Sequence, residues 1–379
     1  MQTRPEFELS PTPEPAHPRT GLAHATTRRG FSLMELLVVV GIIVLIVAII
    51  FPALGNARQA ARMAETQTLL TDLSNAFAQF STDNRRNPGV FSEQLMGAAA
   101  NASEQGGLTA LQNAMLELAG GIVSTDGGAN TVTVYPGFGD PSAVVYVDPN
   151  LIGARAGGDA SVYFAPREKF FNTGDEGHHH GLQGNPEYRE RLPNLVDAWS
   201  NPIMLWSRDP AATGRIVLPN ATPTAGENRF ASVASPPPNT NRALFYLNSN
   251  WGVLSSQSFG RGRNDLTDAN AGSFLGVGGN PTDRAIALTA LLGSPTFPAN
   301  PTETNLENIA PSSPRGDYVL TSAGPDGVFL GRNDRRGRSF GTGPNALPRY
   351  GDMFAALESG GGTADIIAAF DDMIVAGGN

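Results

Sequence analysis

From Leu36 to Leu54 the chain carries no charged side chain, and most of those positions are Leu, Val or Ile. No other stretch restricts the fold so strongly, because a run this apolar needs lipid or a protein interior around it. As a helix rising about 1.5 Å per residue, Phe31 to Leu54 spans roughly 36 Å, enough for a bilayer core of about 30 Å. A secretory signal would have a shorter apolar region ending in a small-residue cleavage site. A buried core helix is the other plain reading, and the run is too uniformly apolar for it. Residues 1–27 are polar, and Pro5, Pro11, Pro13, Pro15 and Pro18 break any helix there. Arg28 and Arg29 stand directly before the run, so they stay on the cytoplasmic side and the bulk of the chain lies outside.

Glu35 makes this more specific than a plain anchor. A carboxylate at the head of an apolar helix is costly in lipid and implies a partner. Cleavage between Gly30 and Phe31 would create a free amino group four residues before Glu35, and a neighbouring chain's amine could then neutralise that acid. Glycine suits the cleavage point because no side chain hinders close backbone approach.

Arg28-Arg29-Gly30, Phe31, Glu35, the apolar run and Pro52 together resemble the type IV prepilin and type II secretion pseudopilin family. The leader is at the long end for that family. The resemblance implies cleavage after Gly30 by a prepilin peptidase, N-methylation of Phe31 and assembly with other pilin or pseudopilin subunits through Glu35. It also implies a single-pass inner-membrane protein whose C-terminal domain lies beyond the membrane.

Past Pro52, which would kink or locally melt the helix, Ala60, Met63, Leu70, Leu73, Phe77 and Phe80 recur at three- and four-residue steps. Helix from Phe31 to Ser81 would make a rod on the order of 75 Å. The apolar stripe of its second half predicts packing on the chain's own sheet, with filament packing as the alternative. Asp83-Asn84-Arg85-Arg86-Asn87-Pro88 is a stop signal. The expected organisation is a leader (1–30), a transmembrane and assembly helix (31–54), its amphipathic continuation (55–82) and a β-rich globular domain with insertions (83–379). The fold class is α+β: one long helix packed on a small antiparallel sheet.

Within the domain, Gln94 to Met115 reads as broken helix, and Thr131–Tyr135 and Ala143–Val147 as short strands. Glycine-rich loops follow at 153–158 and 174–184. Asp197-Ala198-Trp199-Ser200-Asn201-Pro202 reads as a turn leading into a strand, and it resembles the Asp-Pro-Trp-Gly-Asn-Pro turn of major pseudopilins, with Ala198 and Ser200 as departures. Residues 219–241, rich in Pro, Asn and Thr, read as a surface loop.

Asp317 to Gly327 reads as a strand entering a tight Pro-Asp-Gly turn, and Asp371-Asp372 lies within an apolar stretch from Ile366 to Val375. Calcium takes six to eight oxygens, from carboxylates and from carbonyls that a tight turn exposes. Asp326, Asp371 and Asp372 would supply that chemistry, with carbonyls near Leu320 and Val328. This set resembles the calcium loop of major pseudopilins, except that roughly forty residues separate the turn from the paired aspartates. Asn333 and Asp334 are therefore a rival pair. The plainer alternative is a good turn and a solvated acid pair.

The absence of cysteine removes disulfides, zinc–thiolate sites and thiol nucleophiles. A net charge of -9 argues against nucleic acid as a partner. His178-His179-His180, beside Asp175 and Glu176, reads as an exposed polar loop, since three adjacent rings on flexible chain make a poor preformed metal site. Glu187, Glu190, Asp265 and Asp268 read as solvated carboxylates. The basic loops at Arg261 and Arg263, and at Arg332, Arg335, Arg336 and Arg338, read as charge-balanced surface. No Gly-x-Ser-x-Gly elbow, phosphate loop or His-Glu-x-x-His helix is present. The expectation is a structural subunit of a pseudopilus or pilus-like fibre and not an enzyme. A membrane-anchored binding module and a secreted hydrolase on a pilin-like anchor stand as the alternatives.

Overall fold

A computed structural model describes residues 32–97, 108–124, 131–134, 144–152, 162–165, 167–172, 192, 194–212, 229–232, 242–254, 272–275, 281–295, 313–332, 334 and 365–378. The chain divides into two compact units, Met1–Asn56 and Ala57–Asn379. Helix α1 (Leu33–Asn84) contributes to both.

In the first unit, every described side chain of α1 is exposed, including Leu37, Ile43 and Phe51. The mean hydropathy reaches 3.3 over an 18-residue window, so this helix is long and apolar enough to cross a membrane. The helix continues through Pro52 without interruption.

In the second unit, α1 changes character. Ala60 and Met63 are exposed, whereas Leu69, Leu70, Leu73, Ala76, Phe77 and Phe80 are buried. The stripe therefore packs on the chain's own domain, but only from Thr66 onward. Fully burying Leu70, Leu73 and Phe77 contributes about 1.5–3 kcal/mol each. The stop falls where the turn residues place it: Arg85 takes a left-handed backbone (φ 57°) and its N–H donates to the Ser81 carbonyl (2.8 Å).

Two short helices follow, α2 (Glu93–Met96) and α3 (Ala110–Leu118). Thr109 and Gln112 form a reciprocal capping box at the start of α3. Strands β1 (Ile122–Val123), β2 (Val132–Val134) and β3 (Val145–Val147) make one antiparallel sheet in the order β1-β3-β2. The short strands β4 (Phe171–Asn172) and β5 (Asn194–Leu195) pair antiparallel.

The central sheet joins β6 (Met204–Ser207), β9 (Tyr318–Ser322) and β10 (Met373–Gly377), all antiparallel, with β9 in the middle. Successive side chains of a strand point to opposite faces. Leu205, Tyr318, Leu320 and Met373 accordingly join a first core with α1 and α3. Met204, Trp206, Val319 and Ala323 join a second. Both faces are covered, which is why all five residues of β9 are buried.

The second core was not foreseen. It is closed by β8 (Ala243–Tyr246), α4 (Trp251–Leu254) and α5 (Pro281–Leu292). One expectation is corrected: within 219–241, Arg229–Ser232 forms strand β7, paired antiparallel with β8. Its polar and proline-rich flanks hide a four-residue strand whose signal is cross-strand pairing. Loops 153–158 and 174–184 with His178–His180 lie outside the described residues, as do Glu187, Glu190, Asp265, Asp268, Arg261, Arg263, Arg335, Arg336 and Arg338. Arg332 is described, and its guanidinium stacks 4.3 Å from the Phe274 ring centroid.

Candidate functional site

The antiparallel pairing of β9 with β10 sets Met373 opposite Ser322. Residues just after β9 must therefore meet residues just before β10, and the long sequence separation closes. Carboxylate oxygens of Asp326, Asp334 and Asp371 lie within 4.8 Å of one another, each residue half-buried. Asp334 thus joins Asp326 and Asp371 instead of replacing them. Asn333 lies outside the described residues.

The loop is shaped by its own acids. Asp326 ends a 3₁₀ turn (Gly324–Asp326), and its Oδ1 accepts the Val328 N–H at 2.7 Å. Gly327 takes φ 73°, which glycine adopts without steric cost. Asp334 Oδ2 accepts the Gly331 N–H at 2.8 Å.

Asp372 occupies a different position from its neighbour. Its Oδ2 accepts the Leu330 N–H at 2.9 Å, while its Oδ1 is enclosed and has no hydrogen-bond partner. The residue as a whole keeps some exposure, but the carboxyl itself is shut away. Burial pushes its pKa well above the usual carboxylate range, and Asp371, Asp334 and Asp326 add to the rise against the Leu330 hydrogen bond. Leu330 holds φ 45°, a left-handed backbone that costs a bulky residue on the order of 1 kcal/mol or more.

The turn at Asp197 supports this loop from behind. Asp197 Oδ1 accepts the N–H groups of Trp199 (2.8 Å) and Asn201 (2.9 Å), and Oδ2 accepts the Ser322 hydroxyl (2.7 Å). Asn201 donates its side-chain amide to the Gly324 carbonyl at 3.3 Å. Gly324 (φ +66°) then lies so close to the Asp371 backbone that a side chain at position 324 would collide with it. Burial raises the pKa of Asp197, and these hydrogen bonds oppose the rise. Sequence reasoning saw this turn and the acidic loop but not that one holds the other. The signal available was Asn201, an amide placed to donate across the sheet.

The donor set fits a hard cation. All four side chains offer oxygen, three carboxylates converge, and the enclosed Asp372 oxygen lacks the donor that burial demands. Leu320, near which a further carbonyl was expected, sits within the ladder, opposite Leu205 and Val375. Val328 lies beside Asp326, to which its N–H donates.

The approach to β10 is fixed separately. Arg315 forms a two-pronged pair with Asp365 (2.9 Å each) and also donates to the carbonyls of Ala290 and Leu291 at the end of α5. At the other end of the chain, Gly30 and Phe31 lie outside the described residues. Glu35 is described, and it has a local partner: its carboxylate accepts the Ser32 N–H (2.9 Å) while its own N–H donates to the Ser32 hydroxyl (3.1 Å). Ser32 and Glu35 therefore form a capping box at the start of α1.

Comparison with models of protein families, with curated proteins and with solved structures finds no match for this chain.

Proposed function

We propose that this chain is a structural subunit of a type II secretion pseudopilus or type IV pilus-like fibre, cleaved after Gly30, N-methylated at Phe31 and held in the inner membrane before assembly. The observation that carries the reading is the division of labour within α1. Its first half presents apolar side chains all round, and its second half buries one stripe on the domain. A membrane span that runs on as a rod packed on its own domain is the arrangement the prepilin resemblance implies. Glu35 fits the reading as an acid that caps its own helix in the single subunit and can be offered to the amine of a neighbour. Prepilin peptidase and sister subunits are the partners implied.

Calcium belongs to the same reading. Asp326, Asp334 and Asp371 would hold the ion, with the enclosed oxygen of Asp372 beside them. The ion would supply positive charge that offsets their mutual repulsion and ties the chain before β10 to the loop after β9. N-terminal mass spectrometry of the protein recovered from native membranes tests the central claim. The expected N-terminus is an N-methylated Phe31, and any other start overturns it. Glu35→Ala should leave the protein processed but absent from fibres.

A further inference from the structure

We infer that the cavity between α2, α3 and the ends of β6 and β8 binds one sodium-sized monovalent cation, held by the Glu93 carboxylate and the hydroxyl oxygens of Ser207 and Ser249. The site is separate from the acidic loop and asks nothing of the fibre reading. Its lining includes Glu93 from α2, Asn113 from α3, Ser207 at the end of β6, Tyr246 at the end of β8 and Ser249 just beyond. The free space is about 10 Å³, room for one particle the size of a water molecule.

The polar lining has already spent its protons elsewhere. The Tyr246 hydroxyl donates to Asp209 Oδ2 (3.0 Å), and the Ser249 hydroxyl donates to the Tyr246 carbonyl (2.7 Å). The Asn113 amide is closed in a two-bond clasp on the Phe91 backbone (2.8 and 2.9 Å). The Ser207 hydroxyl has no partner among the described residues. What these groups offer an occupant is oxygen lone pairs and a carboxylate, the donors that suit a hard cation.

Charge and size decide the occupant. Glu93 forms no ion pair among the described residues, and burial pushes its pKa up to about 7. The charged groups that act on it are Asp209, Arg86 and Arg242. Arg86 is taken by Glu117, and Arg242 by Asp209. Two arginines therefore face three carboxylates, and one negative charge is left over at Glu93. A half-buried carboxylate without a partner is costly, and either a proton or one monovalent cation cancels it. Calcium takes six to eight oxygens and magnesium keeps several waters, so neither fits so small a space. An organic ammonium is too large for it as well.

Thermal melts of the full-length protein in detergent and chelator test this, with sodium exchanged for choline at constant ionic strength. At about pH 8, once the site fills, each tenfold rise in sodium should lift the melting temperature by about 2–4 °C. Over the same range the climb should be lost at about pH 5, where a proton takes the ion's place, and in Glu93→Gln at about pH 8. Ser207→Ala should leave the choline melt unchanged and raise the sodium concentration at which the climb begins about tenfold. Potassium, the larger ion, should give a smaller climb than sodium. Coincident sodium and choline melts, the result for a proton or a water only, overturn the inference. A climb that survives in Glu93→Gln, one that begins at the parent's concentration in Ser207→Ala, or one as large with potassium overturns it too.

Discussion

The Tyr318 hydroxyl donates to the Ser74 carbonyl oxygen across 2.9 Å and lies 2.8 Å from the Ser74 hydroxyl, which ties the middle strand of the central sheet to α1. The rings of Phe77 and Tyr318 meet beside it with centroids 4.7 Å apart. The lower part of α1 is thus a core element of the domain. Phe77→Ala in a soluble fragment beginning at Asn56 should cost about 3–5 kcal/mol in chemical denaturation. Met63→Ala, at an exposed site, should stay within about 0.5 kcal/mol. Equal effects at the two positions would refute this account of the stripe.

Calcium should raise the melting temperature of the same fragment, and elemental analysis should find the ion bound. At a free concentration one hundred times Kd the gain in stability is about 2.7 kcal/mol. Asp326→Asn and Asp371→Asn should each reduce the gain. A melting temperature indifferent to calcium, with no ion recovered, would remove the metal from the reading.

Asp372 should behave differently in chelator. Its folded pKa lies well above its unfolded value, so ionisation of this group opposes folding. The stability it leaves intact at low pH should be lost as pH rises from the ordinary carboxylate range towards its raised value. Asp372→Asn should flatten that decline in chelator and weaken the response to calcium. A variant with the parent's pH profile would show that the acid is not enclosed in solution.

Glu93 provides a second, independent titration. Burial pushes its pKa up to about 7, Asp209 adds to the rise, and Arg86 and Arg242 only partly offset it. Those arginines are engaged elsewhere, Arg86 with Glu117 and Arg242 with Asp209. Because the folded pKa is raised, stability should fall as pH climbs from about 4.5 to about 7 and then level off. Glu93→Gln should melt at a higher temperature than the parent at pH 8 and show little difference at pH 4. The comparison is a pair of thermal melts.

Much of the architecture was legible because its signals are local. The uncharged run announced α1, Asp83 to Pro88 announced its end, and Val132–Val134 and Val145–Val147 appeared within the short runs that turn residues bound. Strand β7 and the second core were not legible. Leu244, Phe245 and Leu288 gain meaning only when distant segments pack, and no short-range pattern reveals that. The acidic loop shows both cases. Asp326 and the Asp371-Asp372 pair stand out in the sequence, but their meeting depends on the pairing of β9 with β10. Asp334 appeared as a rival only because distance along the chain was being used in place of distance in space.

Lys169 is the chain's sole lysine, and its ammonium sits on Glu65 of α1 and 4.9 Å from the Phe170 ring centroid. An amine-selective acylating reagent therefore has a single side-chain target in the whole polypeptide. Labelling at that one nitrogen would become a footprint of whether this face of the rod is open to water or covered.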